Sequence, residues 1–124
     1  MSKKVLIVDD EQNITISIAF LMRREGFEVL VAHDGAEGLR LIRAERPELV
    51  LLDIMMPKLN GFEVCQAVRA DPSLAGVRIL MLTAKGRVAE MEKGMALGAD
   101  GYMPKPFATK ELVAKVRELL NTQK

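Results

Sequence analysis

The sequence predicts an α/β domain whose parallel sheet is covered by helices on both faces. Short runs rich in Val, Ile and Leu alternate five times with longer stretches whose apolar residues recur at helical spacing. The short runs are continuously apolar rather than alternating, as expected of strands buried on both faces. At 124 residues the chain fits one domain, 1–124, with no linker or low-complexity segment. The expectation is a single domain with nothing attached to it.

Val5-Leu6-Ile7-Val8 is the first strand, and Ile14, Ile18, Leu21 and Met22 mark the helix after it, with Gly26 placed to end that helix. Glu28 to Val31 reads as the second strand. Asp34 can cap a helix carrying Leu39, Leu41 and Ile42, which stops before Pro47. Leu49-Val50-Leu51-Leu52 is the third strand and ends at Asp53. Pro57 and the Asn60-Gly61 pair mark a loop before a helix with Phe62, Val64, Cys65 and Val68. Ile79 to Leu82 is the fourth strand, ending at Thr83. A helix through Met91 and Met95 runs on to Gly98, Gly101-Tyr102-Met103 is a brief fifth strand, and Thr109 can cap a last helix through Leu120. Gly38 and Gly94 fall inside predicted helices, where each is expected to cost somewhat under about 1 kcal/mol relative to Ala.

Composition narrows the function. Seventeen acids against 18 Lys and Arg leave no basic footprint for nucleic acid or membrane. Cys65 is the only cysteine, which excludes an intrachain disulfide and a cysteine-based zinc site. The apolar run from Val5 to Val8 is too short for a signal-peptide core or a membrane span. A cytoplasmic domain is expected.

In a parallel sheet of this kind, ligands bind beyond the carboxyl ends of the strands. Asp9 and Asp10 follow the first strand, Asp53 the third, Thr83 the fourth and Lys105 the fifth, so separated positions converge on one rim. Any one aspartate there can be a turn or cap residue; three converging carboxylates are a different matter. Two unit charges about 4 Å apart interact by roughly 4 kcal/mol at an effective dielectric near 20, so the cluster needs a cation or a raised pKa. Lys105 supplies one charge. A hard divalent ion suits the remainder, because Mg²⁺ prefers oxygen ligands. Asp53 is then placed as the nucleophile of a covalent phosphoryl step.

With these residues in place, the sequence resembles the receiver domain of bacterial response regulators from Val5 to Leu120. The motifs are Val8-Asp9-Asp10-Glu11, Leu52-Asp53-Ile54-Met55-Met56-Pro57, Asn60-Gly61, Leu82-Thr83-Ala84, and Gly98-Ala99-Asp100-Gly101-Tyr102 leading into Lys105-Pro106-Phe107. The resemblance implies a flavodoxin-like, doubly wound five-stranded sheet of order 2-1-3-4-5. It implies that Asp53 accepts a phosphoryl group from the phosphohistidine of a sensor histidine kinase or histidine phosphotransfer protein. It further implies that Asp9, Asp10, Asp53 and the backbone carbonyl of Met55 hold Mg²⁺, with Mn²⁺ a possible substitute. Thr83 and Lys105 would sense the phosphoryl group, Tyr102 would change rotamer with Thr83, and the Lys105-Pro106 bond would be cis. Pro104, directly before Lys105, departs from the pattern by stiffening that strand end.

Other residues carry weaker expectations. His33 reads as a loop residue before a helix cap, the methionines as packing, and Cys65 as a small buried hydrophobe. Ile16 and Phe20 lie off the helix face made by Ile14, Ile18 and Leu21; core packing and a docking patch are both open. Docking is assigned to Ile14, Phe20, Lys93, Tyr102 and Lys110. The output face also includes Glu111 and Lys115, where Gly101 replaces an acid used in ion-paired dimers of winged-helix members, so a monomer or a weak phosphorylation-dependent dimer is expected. The downstream target is an unidentified protein, with no direct nucleic-acid contact. Neither Met55 nor Lys85 orients an attacking water in an obvious way, which points to a long-lived phosphoryl state.

Three other readings compete. A flavodoxin-type electron carrier needs a phosphate-binding loop after the first strand, where Asp9-Asp10-Glu11 would repel it. A Mg²⁺-dependent phosphohydrolase needs an acid two residues past the nucleophile, where Met55 stands. The third is a receiver excised from a longer DNA-binding regulator or hybrid kinase.

Overall fold

A computed structural model of the chain describes residues 3–84 and 88–121; Lys85, invoked above for phosphoryl lifetime, lies outside them. Five strands and five helices alternate: β1 (Lys4–Val8), α1 (Gln12–Arg24), β2 (Glu28–Ala32), α2 (Gly35–Glu45), β3 (Leu49–Asp53), α3 (Gly61–Arg69), β4 (Arg78–Ala84), α4 (Val88–Ala96), β5 (Gly101–Lys105) and α5 (Thr109–Leu120). A short 3₁₀ turn at Pro72–Leu74 precedes β4. The strands pair in parallel in the order β2-β1-β3-β4-β5, the order that the resemblance implies.

Strand pleating explains the continuous apolar runs. Successive side chains point to opposite faces, so Val5 and Ile7 pack with Leu49, Leu51, Leu80 and Leu82 against α1 and α5. Leu6 and Val8 pack on the other side with Val50, Leu52, Ile79 and Met81, against Ile42 of α2 and Val64, Cys65 and Val68 of α3. Every residue of β3 is buried, Asp53 included.

Local chemistry sets the helix ends. Gly26 adopts φ +93 just past α1, with nothing near the place a Cβ would take; it is backbone freedom, not space, that requires glycine. The Asp34 carboxylate accepts from the Glu37 amide at 2.8 Å and caps α2. Asn60 and Glu63 form a reciprocal capping box that starts α3. The last helix differs from expectation. Ala108, not Thr109, is the N-cap residue, and Thr109 is the first residue of the helix. The Glu111 side chain reaches back to the Ala108 amide at 3.4 Å in place of a hydroxyl cap. The fifth strand is also longer than its apolar run, extending through Pro104 to Lys105. It lies at the edge of the sheet, where a residue without an N–H is tolerated.

Gly38 and Gly94 separate on packing. A Cβ on Gly38 would stand 2.8 Å from Cγ1 of Val8, a stiff β-branched neighbour fixed in the sheet. A Cβ on Gly94 would meet Met81 at 3.4 Å, an ordinary contact with a flexible side chain. Gly38→Ala is therefore expected to lower stability by about 1–3 kcal/mol through overpacking. Gly94→Ala is expected to raise stability by up to about 1 kcal/mol through helix propensity. Urea unfolding of both variants checks this; equal gains in stability would contradict the packing account.

Candidate functional site

The rim beyond the carboxyl ends of β1, β3, β4 and β5 gathers the polar groups that the core excludes. Asp9 is fully buried, Asp53 is 7% exposed and Thr83 is 4% exposed, whereas Asp10 faces solvent. The Asp9 amide donates to the Ala32 carbonyl at 3.2 Å, and one Asp9 carboxylate oxygen accepts from the Glu11 amide at 2.9 Å. These bonds turn the chain from β1 into α1 and fix the Asp9 carboxylate. Register places Asp53 beside Leu82, so Thr83 comes one residue beyond it on the neighbouring strand. Ala84 in turn pairs with Lys105.

Lys105 reaches inward from β5. Its Nζ lies 2.8 Å from Asp9 Oδ2, 3.3 Å from Asp53 Oδ1 and 3.7 Å from Glu11 Oε1. Asp9, Asp10 and Asp53 each offer a carboxylate oxygen within 4.8 Å of the others. Burial and the neighbouring Asp9 charge push the Asp53 carboxyl up to about 6, against the pull of Lys105. Burial acts to lower the Lys105 ammonium, but its hydrogen bond to Asp9 and the charges of Asp53 and Asp9 outweigh burial, and the net shift is upward. One ammonium does not neutralise three carboxylates. The donor set, all oxygen and net negative, therefore fits a hard divalent cation.

The loop after Asp53 is held from behind. The Gly61 amide donates to the Ile54 carbonyl at 2.8 Å, and a Cβ on Gly61 would stand 2.5 Å from the Asp53 carbonyl oxygen. Only glycine permits that approach. Lys58 adopts φ +71 in this loop and pairs with Asp34 at 3.4 Å, tying the loop to the N-terminus of α2. Met55 projects from the loop with its side chain 69% exposed. The Lys105-Pro106 peptide bond is cis.

Of the residues singled out from sequence, Asp9, Asp10, Asp53 and Lys105 come together, with Thr83 at the end of the adjoining strand. Tyr102 is 41% exposed on β5. Ile14 is half-buried near Asp53, while Ile16 and Phe20 are both exposed on the outer face of α1, so core packing does not absorb them. Lys93 stands over the Phe62 ring, 4.6 Å from its centroid, and Lys110 is exposed at the start of α5. His33 is an exposed bend residue and Cys65 is buried, as expected. Sequence reasoning missed the Asn60–Glu63 box, although an Asn followed three residues later by Glu signals one. It also missed Glu11 beside Lys105, and the Asp34–Lys58 pair, which no local pattern announces.

The sequence model of the response regulator receiver domain matches residues 5–117. The chain belongs to that family. The DNA-binding response regulator MtrA of Mycolicibacterium smegmatis is 45% identical over 120 residues, covering 97% of this chain and 51% of MtrA. The chain thus spans about half the length of the curated relatives it matches. A crystal structure of a putative response regulator from Chloroflexus aurantiacus superposes with a TM-score of 0.94 at 34% identity, covering 98% of this chain and 100% of that one. The receiver domain of the sensor histidine kinase PA1611 from Pseudomonas aeruginosa, with a magnesium ion coordinated in its active-site cleft, gives 0.90 at 25% identity, covering 98% and 100%. This receiver domain is a signalling module of two-component systems, and none of its described helices is long and apolar enough to cross a membrane.

The raised Asp53 pKa makes a stability prediction. A carboxyl whose pKa is raised on folding favours the native state while protonated, and this contribution is lost as pH rises from 3.8 through about 6. In metal-free protein at neutral pH, Asp53→Asn is expected to be more stable than wild type, by at most about 3 kcal/mol. The difference should shrink towards zero below pH 4. Denaturant titrations of both proteins with a chelator, across that range, check the sign; a variant less stable than wild type at neutral pH contradicts it.

Proposed function

We propose that this receiver domain is a phosphoacceptor switch in which Asp53 takes a phosphoryl group from a phosphohistidine of a sensor histidine kinase or histidine phosphotransfer protein. One observation carries the reading: a nearly buried carboxylate at the end of β3, with Asp9 and Asp10 beside it and the Lys105 ammonium 3.3 Å away. No general base is needed, because the nucleophile is a carboxylate that ionises by itself. The Asp53 oxygen forms the new bond to phosphorus as the phosphorus–nitrogen bond to the donor imidazole breaks, and the nitrogen keeps the electron pair. Lys105 offsets charge on the phosphoryl oxygens, and the Thr83 hydroxyl can donate to one of them.

Asp9, Asp10, Asp53 and the Met55 backbone carbonyl would hold Mg²⁺, or Mn²⁺ in its place. Bound there, the ion supplies the positive charge that Lys105 alone does not. Thr83 and Tyr102 would carry the switch outward to a face that includes Lys93 and Lys110. Ile14 and the exposed Phe20 support a docking role for α1. The exposed, apolar Met55 side chain favours slow hydrolysis of the phosphoryl group. The domain would work as a monomer or a weak phosphorylation-dependent dimer, cytoplasmic and without direct nucleic-acid contact.

A second reading is favoured by the relatives, which are about twice the length of this chain. In it, the same switch forms the receiver part of a longer DNA-binding regulator. The acceptor chemistry is common to both readings.

Incubation with acetyl phosphate and Mg²⁺ is expected to add one phosphoryl group by intact-protein mass spectrometry. Asp53→Asn and a chelator should each abolish it. Labelling that survives either treatment contradicts the mechanism.

A further inference from the structure

Asp9 and the loop that carries Met55 leave neighbouring strands, β1 and β3, and the start of α2 touches both. On the β1 side, the Asp9 amide donates to the Ala32 carbonyl, two residues before Asp34. Val8, directly before Asp9, lies so close to α2 that a Cβ on Gly38 would meet it at 2.8 Å. On the β3 side, a Cβ on Gly35 would overlap the Leu59 carbonyl oxygen. Beside that contact, Asp34 Oδ2 pairs with Lys58 Nζ at 3.4 Å. The other Asp34 oxygen, Oδ1, accepts from the Glu37 amide, so separate oxygens serve the helix cap and the ion pair. Lys58 takes φ +71, where glycine is at ease and a lysine is not. Its side chain is 68% exposed, so the ion pair rather than core packing directs it.

We propose that the Asp34–Lys58 pair is a positioning device that sets the divalent-cation affinity of the acceptor site from outside it. The proposal rests on the reading in which Asp9, Asp10, Asp53 and the Met55 carbonyl hold Mg²⁺. It adds what aligns the last of these groups. Asp9 and Asp53 are buried at strand ends, whereas Met55 and Pro57 are exposed in the loop. That loop has two supports. The Gly61 amide bonds to the Ile54 carbonyl at 2.8 Å, and the start of α2 meets Lys58 and Leu59. Met55 lies between them. With the second support loosened, cation binding must order this segment, and affinity falls. Mg²⁺ is sensitive to such misalignment because it demands near-ideal octahedral geometry. Charge alone gives the opposite sign at one position. The Lys58 ammonium repels a cation, so its removal without a positioning effect would tighten binding. Positioning makes the same removal weaken it.

The test is a Mg²⁺ titration at constant ionic strength, followed by amide NMR shifts of the folded protein. Lys58→Gln removes one charge and keeps a long polar side chain. Asp34→Asn removes the other and keeps a good helix cap. Each is expected to raise the Mg²⁺ dissociation constant about two- to fivefold, the range that an exposed ion pair supports. Lys58→Arg, which retains the charge, should bind as wild type does. The double variant should be about as weak as either single one, because the same pair is lost in all three. Unchanged or tighter binding in Lys58→Gln overturns the proposal. A loss in the double variant equal to the product of the two single losses does so too. Lower unfolding stability of the metal-free variants with unaltered Mg²⁺ affinity would make the pair structural only, which also overturns it. If Asp53→Asn binds Mg²⁺ as tightly as wild type, the cation site itself has been misplaced, a failure distinct from that of the positioning pair.

Discussion

The site is organised by a charge imbalance held in place by the core. Three carboxylates stand at the carboxyl edge of the sheet, two of them buried, and Lys105 is the cation that bonds to both buried ones among the described residues. Burying a charge without compensation is costly, and the Asp53 pKa of about 6 is the direct consequence. The structure keeps Asp53 in this position because β3 is buried along its whole length and enclosed by β1 and β4. Each fully buried Leu or Ile contributes about 1.5–3 kcal/mol, and the many in this core outweigh a few kcal/mol of carboxylate repulsion. The three carboxylates therefore carry unfavourable electrostatics that a bound divalent cation would relieve.

Several local devices convert this imbalance into a defined geometry. Asp9 is oriented by the amide of Glu11, and the Asp53 backbone is pressed against Gly61. The loop that follows Asp53 is tethered to the N-terminus of α2 through Lys58 and Asp34. At the other side, Arg69 bonds to the Gly98 carbonyl and the Asp100 carboxylate at 2.8 Å each, and Asp100 accepts from the Ile79 amide. This anchors α3, the start of β4 and the start of β5 to one another at the end of the sheet remote from the site. The rim that carries Thr83 and Lys105 is thus built on the ends of β4 and β5, whose opposite ends are fixed.

Much of this was legible in the sequence because the signals are local. Continuous apolar runs mark strands buried on both faces, and residues directly after those runs must lie on one rim. That reasoning located Asp9, Asp10, Asp53, Thr83 and Lys105. Features that depend on a distant neighbour were not legible. Gly38 looks like a weak helix position until Val8 is seen against it. Thr109 looks like a cap, yet Ala108 takes that position and the Glu111 side chain supplies the polar contact. Pro104 seems to end the fifth strand, but an edge position makes its missing N–H harmless. Whether Ile16 and Phe20 face the core or solvent depends on how α1 is rotated on the sheet, and the structure turns both outward.

Carboxyl-detected NMR titration of Asp53 tests the charge imbalance most directly. In metal-free protein the Asp53 carboxyl should titrate near 6, and saturating Mg²⁺ should drive it well below that value. A metal-free Asp53 that titrates at the ordinary 3.8, with no response to Mg²⁺, would contradict the account.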